Sequence, residues 1–269
     1  MFRDLVDALD SDRFTLFAQP LRALANPTLP THYEILVRML DSTGGIIAPE
    51  KFFSAATRYQ LLSRLDQWVV TRTLAELRPV AAELRARGAM FWINLSGQSL
   101  AQAEFADFAR SAVRDAGLPA GSIGFEITEN AAIGNLEPAQ RFMSRLRELG
   151  CSFALDDFGT GLSSLKYLKD LKVSMLKIDG SFIRDLLRDP RSDSLVRAVL
   201  RVAGELHLET TAECIETPEV AHHLSAIGVT YGQGFELGRP APLKDVLARE
   251  FEPGSERMNE AAAASTAAF

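Results

Sequence analysis

Eight polar side chains stand where apolar runs end or falter: Glu34, Asn94, Glu126, Asp156, Asp157, Lys177, Glu213 and Gln233. Burying a charge is costly unless it is paired or bound to an ion, so these placements ask for a reason. A single buried acid is accounted for by an ion pair. Carboxylates gathered within a few ångströms repel one another strongly in a medium of low dielectric. Either several carry protons or cations sit among them. The donors are oxygens, with no His or Cys in the set, which suits Mg²⁺ or Mn²⁺ better than zinc. Adjacent Asp156 and Asp157 offer one bridging and one terminal carboxylate. That suggests two ions roughly 3.5–4 Å apart, an arrangement that clamps the attacking and leaving oxygens of a phosphoryl displacement. A lysine such as Lys177 would hold or activate the water and offset negative charge.

The elements that must position these groups follow from the patterning. β-branched or aromatic runs at "FTLFAQP", "HYEILVRML", "MFWINLS", "IGFEIT", "SFALDD", "SMLKID", "TTAE" and "TYGQGF" read as strands. Most are separated by segments with helical spacing, such as "RLDQWVVTRTLAELRPVAAELRARG", read as one helix stopping at Gly88. "EPAQRFMSRLRELG" puts Pro138 in a first turn and Gly150 at the end, and "TPEVAHHLSAIG" does the same with Thr217, Pro218 and Gly228. About eight strands alternating with helices predict an α/β (β/α)8 TIM-like barrel. An open doubly wound sheet is the alternative. Between "FAQP" and "HYEIL" lies only "LRALANPTLPT", too short and proline-rich for a helical crossover. Parallel neighbours need such a crossover, so the first strand is expected to be antiparallel. In a barrel the eight polar positions converge on the C-terminal mouth.

The bulk numbers exclude more than they select. The 269 residues carry a net charge of −6 with 47% hydrophobic and 24% charged residues. That gives no support for a nucleic-acid or anionic-membrane binder. No run approaches the length of a membrane span, and "MFRDLVDALDSDRF" lacks a signal-type apolar core. Cys151 and Cys214 make no disulfide framework, which favours a reduced cytoplasmic setting. Cys214 reads as a small packing residue, and His32, His207, His222 and His223 as scattered surface or core residues. One barrel is expected over residues 1–250, with 251–269 a mobile tail.

The segments "YEILVRM", "INLSGQSL", "FEITEN", "DDFGTGLSSLKYL", "LKIDGSFI", "AECIET" and "YGQGFELGRP", in this order, resemble the motifs of EAL domains. The likeness runs from about Phe14 to Leu243. Ile35 stands in the place of the motif's Ala, and Cys214 where small or apolar residues are usual. The resemblance implies a barrel with one reversed strand. It implies a phosphodiesterase that opens cyclic di-GMP to linear pGpG with two Mg²⁺ or Mn²⁺ ions, unsupported or inhibited by Ca²⁺. By motif, Glu34, Asn94, Glu126 and Asp156 would hold one ion, and Asp156, Asp157 and Glu213 the other. Lys177 would orient the water, with Glu213 a second candidate for its proton. Arg38 would reach a phosphate, where its planar fork suits bidentate contact. Gln233 would line the water or second-metal side. Glu129 would fix the loop carrying Gly159, Gly161 and Ser163, and Glu216 would stand nearby. A homodimer and fused sensor or GGDEF domains are further implications. A silent cyclic di-GMP receptor acting through a partner is the competing function, marked by lost ligands, and none is lost. A kinase suggested by "DFG" lacks its other motifs, and an enolase-type barrel would not explain the whole series.

Overall fold

The computed structural model describes residues 2–159 and 167–252. Its strands are β1 (Phe14–Ala23), β2 (His32–Leu40), β3 (Ile46–Ile47), β4 (Phe91–Leu95), β5 (Ile123–Thr128), β6 (Ser152–Phe158), β7 (Met175–Ile178), β8 (Glu209–Ala212), β9 (Tyr231–Gly232) and β10 (Ala241–Pro242). They form one sheet in the order β10-β1-β9-β8-β7-β6-β5-β4-β2-β3, and an additional β1–β2 pairing closes it. β3 and β10 pair antiparallel onto β2 and β1. The closed ring is therefore the remaining eight strands, a (β/α)8-type barrel.

β1 runs antiparallel to both neighbours, β2 and β9, while every other ring pairing is parallel. The short proline-bearing link before β2 thus does what its length demands. Each expected strand is present. The expected long helix is not continuous. It runs over Leu62–Leu77, tightens into a single 3₁₀ turn at Arg78–Val80 and resumes over Ala81–Arg87. Pro79 lacks an N–H and its ring crowds the preceding turn, which explains the break. Gly88 and Gly150 take positive φ as helix-stopping residues do.

The main core lies between strands and helices, built from residues such as Phe52, Leu74, Phe105, Phe125, Phe142 and Phe153. The interior of the barrel holds a separate cluster of Leu21, Trp92, Ala154, Met175 and Tyr231. The last helix, Leu243–Phe251, carries the packed chain one residue past the boundary expected at 250. Phe251 is buried, with its ring 5.7 Å from those of Tyr33 and Phe91. Glu252 is exposed, and the rest of the expected tail, residues 253–269, lies outside the described residues. Among the described residues no helix is long and apolar enough to cross a membrane.

Candidate active site

Lys177 stands at the centre of the mouth. It is only 1% exposed, and β7 points it into a ring of acids from other strands. Its Nζ lies 2.7 Å from Glu126 Oε2, 2.8 Å from Glu213 Oε1, 3.4 Å from Glu34 Oε2 and 3.5 Å from Asp156 Oδ1. Asn94 Nδ2 donates to Glu34 Oε1 at 2.7 Å, and Gln233 Nε2 donates to Glu34 Oε2 at 2.6 Å. The strand-end residues meet, as the barrel expectation requires. Gln233 follows β9 rather than lying in it, yet its N–H still donates to Ala212 O at 2.9 Å.

A bulge brings both aspartates to this point. Adjacent strand residues normally face opposite sides. Here Leu155 pairs with Leu176 and Phe158 with Ile178, so Asp156 and Asp157 together oppose Lys177 alone. Asp157 takes φ +54°. An extra residue in a left-handed conformation re-aims a side chain in this way. Carboxylate oxygens of Asp156, Asp157 and Glu213 lie within 4.8 Å of one another.

Among the described residues the charge at the mouth does not balance. Burial drives Glu126 well above the usual carboxyl range, and nearby Glu34 and Asp156 add to the rise against the pull of Lys177. Glu213 is pushed up to about 7 by burial, with Asp156 and Glu34 reinforcing the shift. Asp157 is raised by burial, then by Asp156 and Asp179. Burial also opposes ionisation of Glu34, but Lys177, Gln233 and Asn94 outweigh it and hold that carboxyl below its ordinary value. For Lys177 burial works against the ammonium, and the surrounding acids more than compensate, keeping it charged. One ammonium cannot neutralise so many carboxylates. Glu126 Oε1 and Asp156 Oδ1 are buried without a hydrogen bond. Carboxylate oxygens short of hydrogen-bond partners, with no His or Cys ligand among the residues gathered here, fit hard divalent cations.

Arg38 donates to Val37 O at 3.0 Å and lies 5.4 Å from the Phe17 ring centroid. It lines a cavity of about 490 Å³ with Asn94, Asp66 and Thr128. A second cavity, about 220 Å³, is lined by Gln19, Glu34, Glu213, Glu216, Gln233 and Phe235. Glu216 is exposed at its edge. Glu129 is fully buried, and its Oε2 accepts from the Gly159 N–H at 3.2 Å. Gly161 and Ser163 lie outside the described residues. Cys214, half-buried at φ +56°, accepts from Arg184 Nη2 at 3.4 Å. His32 is a buried core residue, and His223 pairs with Asp193 at 2.7 Å.

Sequence reasoning missed Asp66 and Gln19. Asp66 Oδ2 accepts from the Ser96 N–H (2.9 Å), Ser96 Oγ (2.6 Å) and Ser99 Oγ (2.6 Å), fixing the turn just after Asn94. Its signal was an acid on the apolar face of a helix, between Leu65 and Val69. Gln19 faces Glu34 across the β1–β2 ladder.

A model of the EAL domain matches residues 3–240. The cyclic di-GMP phosphodiesterase NbdA of Pseudomonas aeruginosa is 37% identical over 245 residues, which are 90% of this chain and 31% of that protein. PdeF of Escherichia coli, another cyclic di-GMP phosphodiesterase, is 35% identical over 253 residues, 94% of this chain and 33% of its own length. The chain thus spans about a third of these curated relatives. Among solved structures, the phosphodiesterase PaMucR in complex with c-di-GMP superposes with a TM-score of 0.84 at 32% identity, covering 91% of this chain and 98% of that one. The c-di-GMP-bound EAL domain of FimX from Pseudomonas aeruginosa gives 0.81 at 28% identity, covering 89% and 95%. With its reversed first strand, its acidic mouth and these matches over nearly its whole length, the chain belongs to the EAL domain family.

Proposed function

We propose that this chain hydrolyses cyclic di-GMP to linear pGpG with the help of two divalent cations, Mg²⁺ or Mn²⁺. The observation that carries the reading is the ring of Glu34, Glu126, Asp156 and Glu213 around Lys177, with Asp157 added by the bulge. Glu34, Asn94, Glu126 and Asp156 would hold one ion, and Asp156, Asp157 and Glu213 the second. Such ions, when bound, neutralise the acids and polarise a phosphoryl oxygen and a water.

Lys177 keeps its proton, so its part is to orient the water by donating to it rather than to deprotonate it. Glu213, 2.8 Å from Lys177 Nζ, is a second candidate to take the water's proton beside its part in holding the second ion. Arg38 extends its guanidinium over the neighbouring cavity, where a phosphate of the dinucleotide would meet it. Gln233 lines the water side of the site, and Glu129 steadies the Gly159 turn beside the aspartates.

The test is direct. The purified chain is incubated with cyclic di-GMP and each of Mg²⁺, Mn²⁺ and Ca²⁺, and products are separated chromatographically. pGpG is expected with Mg²⁺ or Mn²⁺. Ca²⁺, larger and more loosely coordinated, should give none. Binding without turnover in saturating Mn²⁺ would replace the enzyme by a receptor. A homodimer belongs to the same proposal, with sedimentation as its check.

A further inference from the structure

Two side-chain amides tie the mouth to the loop after β9, and their polarity is forced from both ends. Gln19 Nε2 donates to Gly238 O at 3.0 Å, and Gln19 Oε1 accepts from Gln233 Nε2 at 3.2 Å. Gln233 Nε2 also donates to Glu34 Oε2 at 2.6 Å. A backbone carbonyl accepts and never donates. Gln19 must therefore turn its NH₂ toward Gly238 and its oxygen toward Gln233. The Glu34 carboxylate likewise accepts, so Gln233 must present its NH₂ to both partners. Exchanging oxygen and nitrogen in either amide would set acceptor against acceptor.

Glu34 alone would settle which end of Gln233 faces it, but not the plane of the amide, which could swing about that one bond. The second hydrogen, taken by Gln19, fixes the plane. What remains is Gln233 Oε1, buried and without a hydrogen-bond partner, on a side chain that lines the cavity shared with Glu34 and Glu213. A buried amide oxygen left unpaired is costly unless it serves a ligand. Gln19 belongs to the one reversed strand, directly opposite Glu34, so the closure of the barrel itself delivers this lock.

We propose that Gln19 is a positioning residue for the hydrolysis inferred above. It locks the Gln233 amide so that Gln233 Oε1 accepts a hydrogen bond from the attacking water. The role rests on that reading of the function. A methionine at position 19 would match the length and apolar bulk of the side chain but neither bond.

The first measurement needs neither substitution nor turnover: solvent exchange of the side-chain NH₂ groups of Gln19 and Gln233, followed by NMR on the wild-type chain. Both should exchange far more slowly than an exposed glutamine. Exchange at the exposed rate at either amide overturns the lock. The second is kinetic, in Mg²⁺ with cyclic di-GMP. Gln19→Met should lower kcat about tenfold, the loss of roughly one hydrogen bond, and leave KM within about twofold. The double variant Gln19→Met/Gln233→Met should be no slower than Gln233→Met, because Gln19 acts through Gln233. Losses that multiply, or a raised KM with kcat intact, overturn the role. Slow exchange in a wild-type chain that does not hydrolyse cyclic di-GMP would sink the function and the water's part in it, while the amide lock stands.

Discussion

The barrel interior has two neighbouring layers drawn from the same strands. Apart from Asp157, which the bulge turns in, each residue of the mouth sits two positions from a residue of the layer beneath: Glu34 from His32, Asn94 from Trp92, Glu126 from Gly124, Asp156 from Ala154, Lys177 from Met175, Glu213 from Thr211 and Gln233 from Tyr231. On the reversed strand the order inverts, Gln19 above Leu21. The lower layer is mostly apolar and tightly fitted. Trp92 lies so close over Gly124 that an added Cβ would be 2.2 Å from the indole. The hydroxyl of Thr211 donates to Met175 Sδ at 3.1 Å. The upper layer is polar, short of cations and holds unpaired oxygens. Apart from the bulge at Asp156 and Asp157, the two layers share the same strands, so the rest of the difference lies in side-chain chemistry. One layer closes the barrel, and the next is left needing a ligand.

The largest effect that would break this contrast is expected within β7. Lys177→Met leaves the acids without the ammonium that, among the described residues, they share. Removing one partner of a buried ion pair typically destabilises by about 3–5 kcal/mol. Urea unfolding without divalent ions should show a loss of that order unless the acids take up protons, in which case the loss shrinks at low pH. Turnover should fall by at least about a hundredfold even in saturating Mg²⁺. One layer down, Met175→Leu conserves volume and should cost under about 1.5 kcal/mol, with turnover retained. Equal effects from the two substitutions would erase the distinction.

A smaller effect sharpens the contrast through pH, because the layers should titrate with opposite sign. Glu213 has an ordinary value of 4.5 and sits near 7 in the fold. Between those values the folded chain binds the extra proton, so metal-free stability falls as pH rises and levels off above 7. Burial lowers His32 from 6.5 to about 4. There the unfolded chain binds the extra proton, so His32 makes stability rise between about 4 and 6.5. Glu34, held below 4.5, adds stability above that value and loses it on acidification, outside the Glu213 window. Lys177, held above 10.5, stays charged throughout. In chelator, Glu213→Gln should make the falling limb shallower, Glu126 and Asp157 keeping their share of it, and leave the rising one. Its stability relative to wild type, from urea unfolding in a pH series, should grow between 4.5 and 7. Saturating Mg²⁺ should flatten or invert the wild-type decline, since binding expels those protons. A constant difference across the window would count against a raised Glu213.

Much of this was legible in the sequence because a charge inside an apolar run is conspicuous, and a strand–helix rhythm tells which end of the run matters. The reversal of β1 was legible from the length of one proline-bearing link. Other features depend on geometry that residue types do not signal. Asp156 and Asp157 were legible as a ligand pair, but not the means: strand alternation alone would turn them to opposite faces, and the bulge, with positive φ at a non-glycine residue, turns Asp157 inward. Gln19 was passed over because the strand runs backwards, so its mouth residue comes before its packing residue. Asp66 was missed because attention to strand ends overlooks a helix that reaches over the mouth. Pro79 was visible, yet a helical period on both sides hid the turn it forces.

The smallest expected effect concerns Gly124, whose missing side chain is the clearest mark of the lower layer. Its backbone angle is ordinary for a strand, so conformational freedom is not the reason for glycine. The reason is Trp92, three of whose ring carbons would stand 2.2, 2.5 and 2.7 Å from a new Cβ. A fused ring held between strands cannot retreat as the end of a flexible chain would. Gly124→Ala should therefore cost about 1–3 kcal/mol as overpacking, read as a lower urea midpoint with an unchanged slope. Glu126, two residues along β5, keeps its place only if the strain relaxes downward, away from Lys177. If so, kcat in Mg²⁺ stays within about twofold of wild type while stability falls, and the layers are mechanically separate. A substitution that leaves stability intact but lowers kcat tenfold would mean that the fit of Trp92 sets the height of Glu126, and that packing and chemistry in this barrel are one device rather than two.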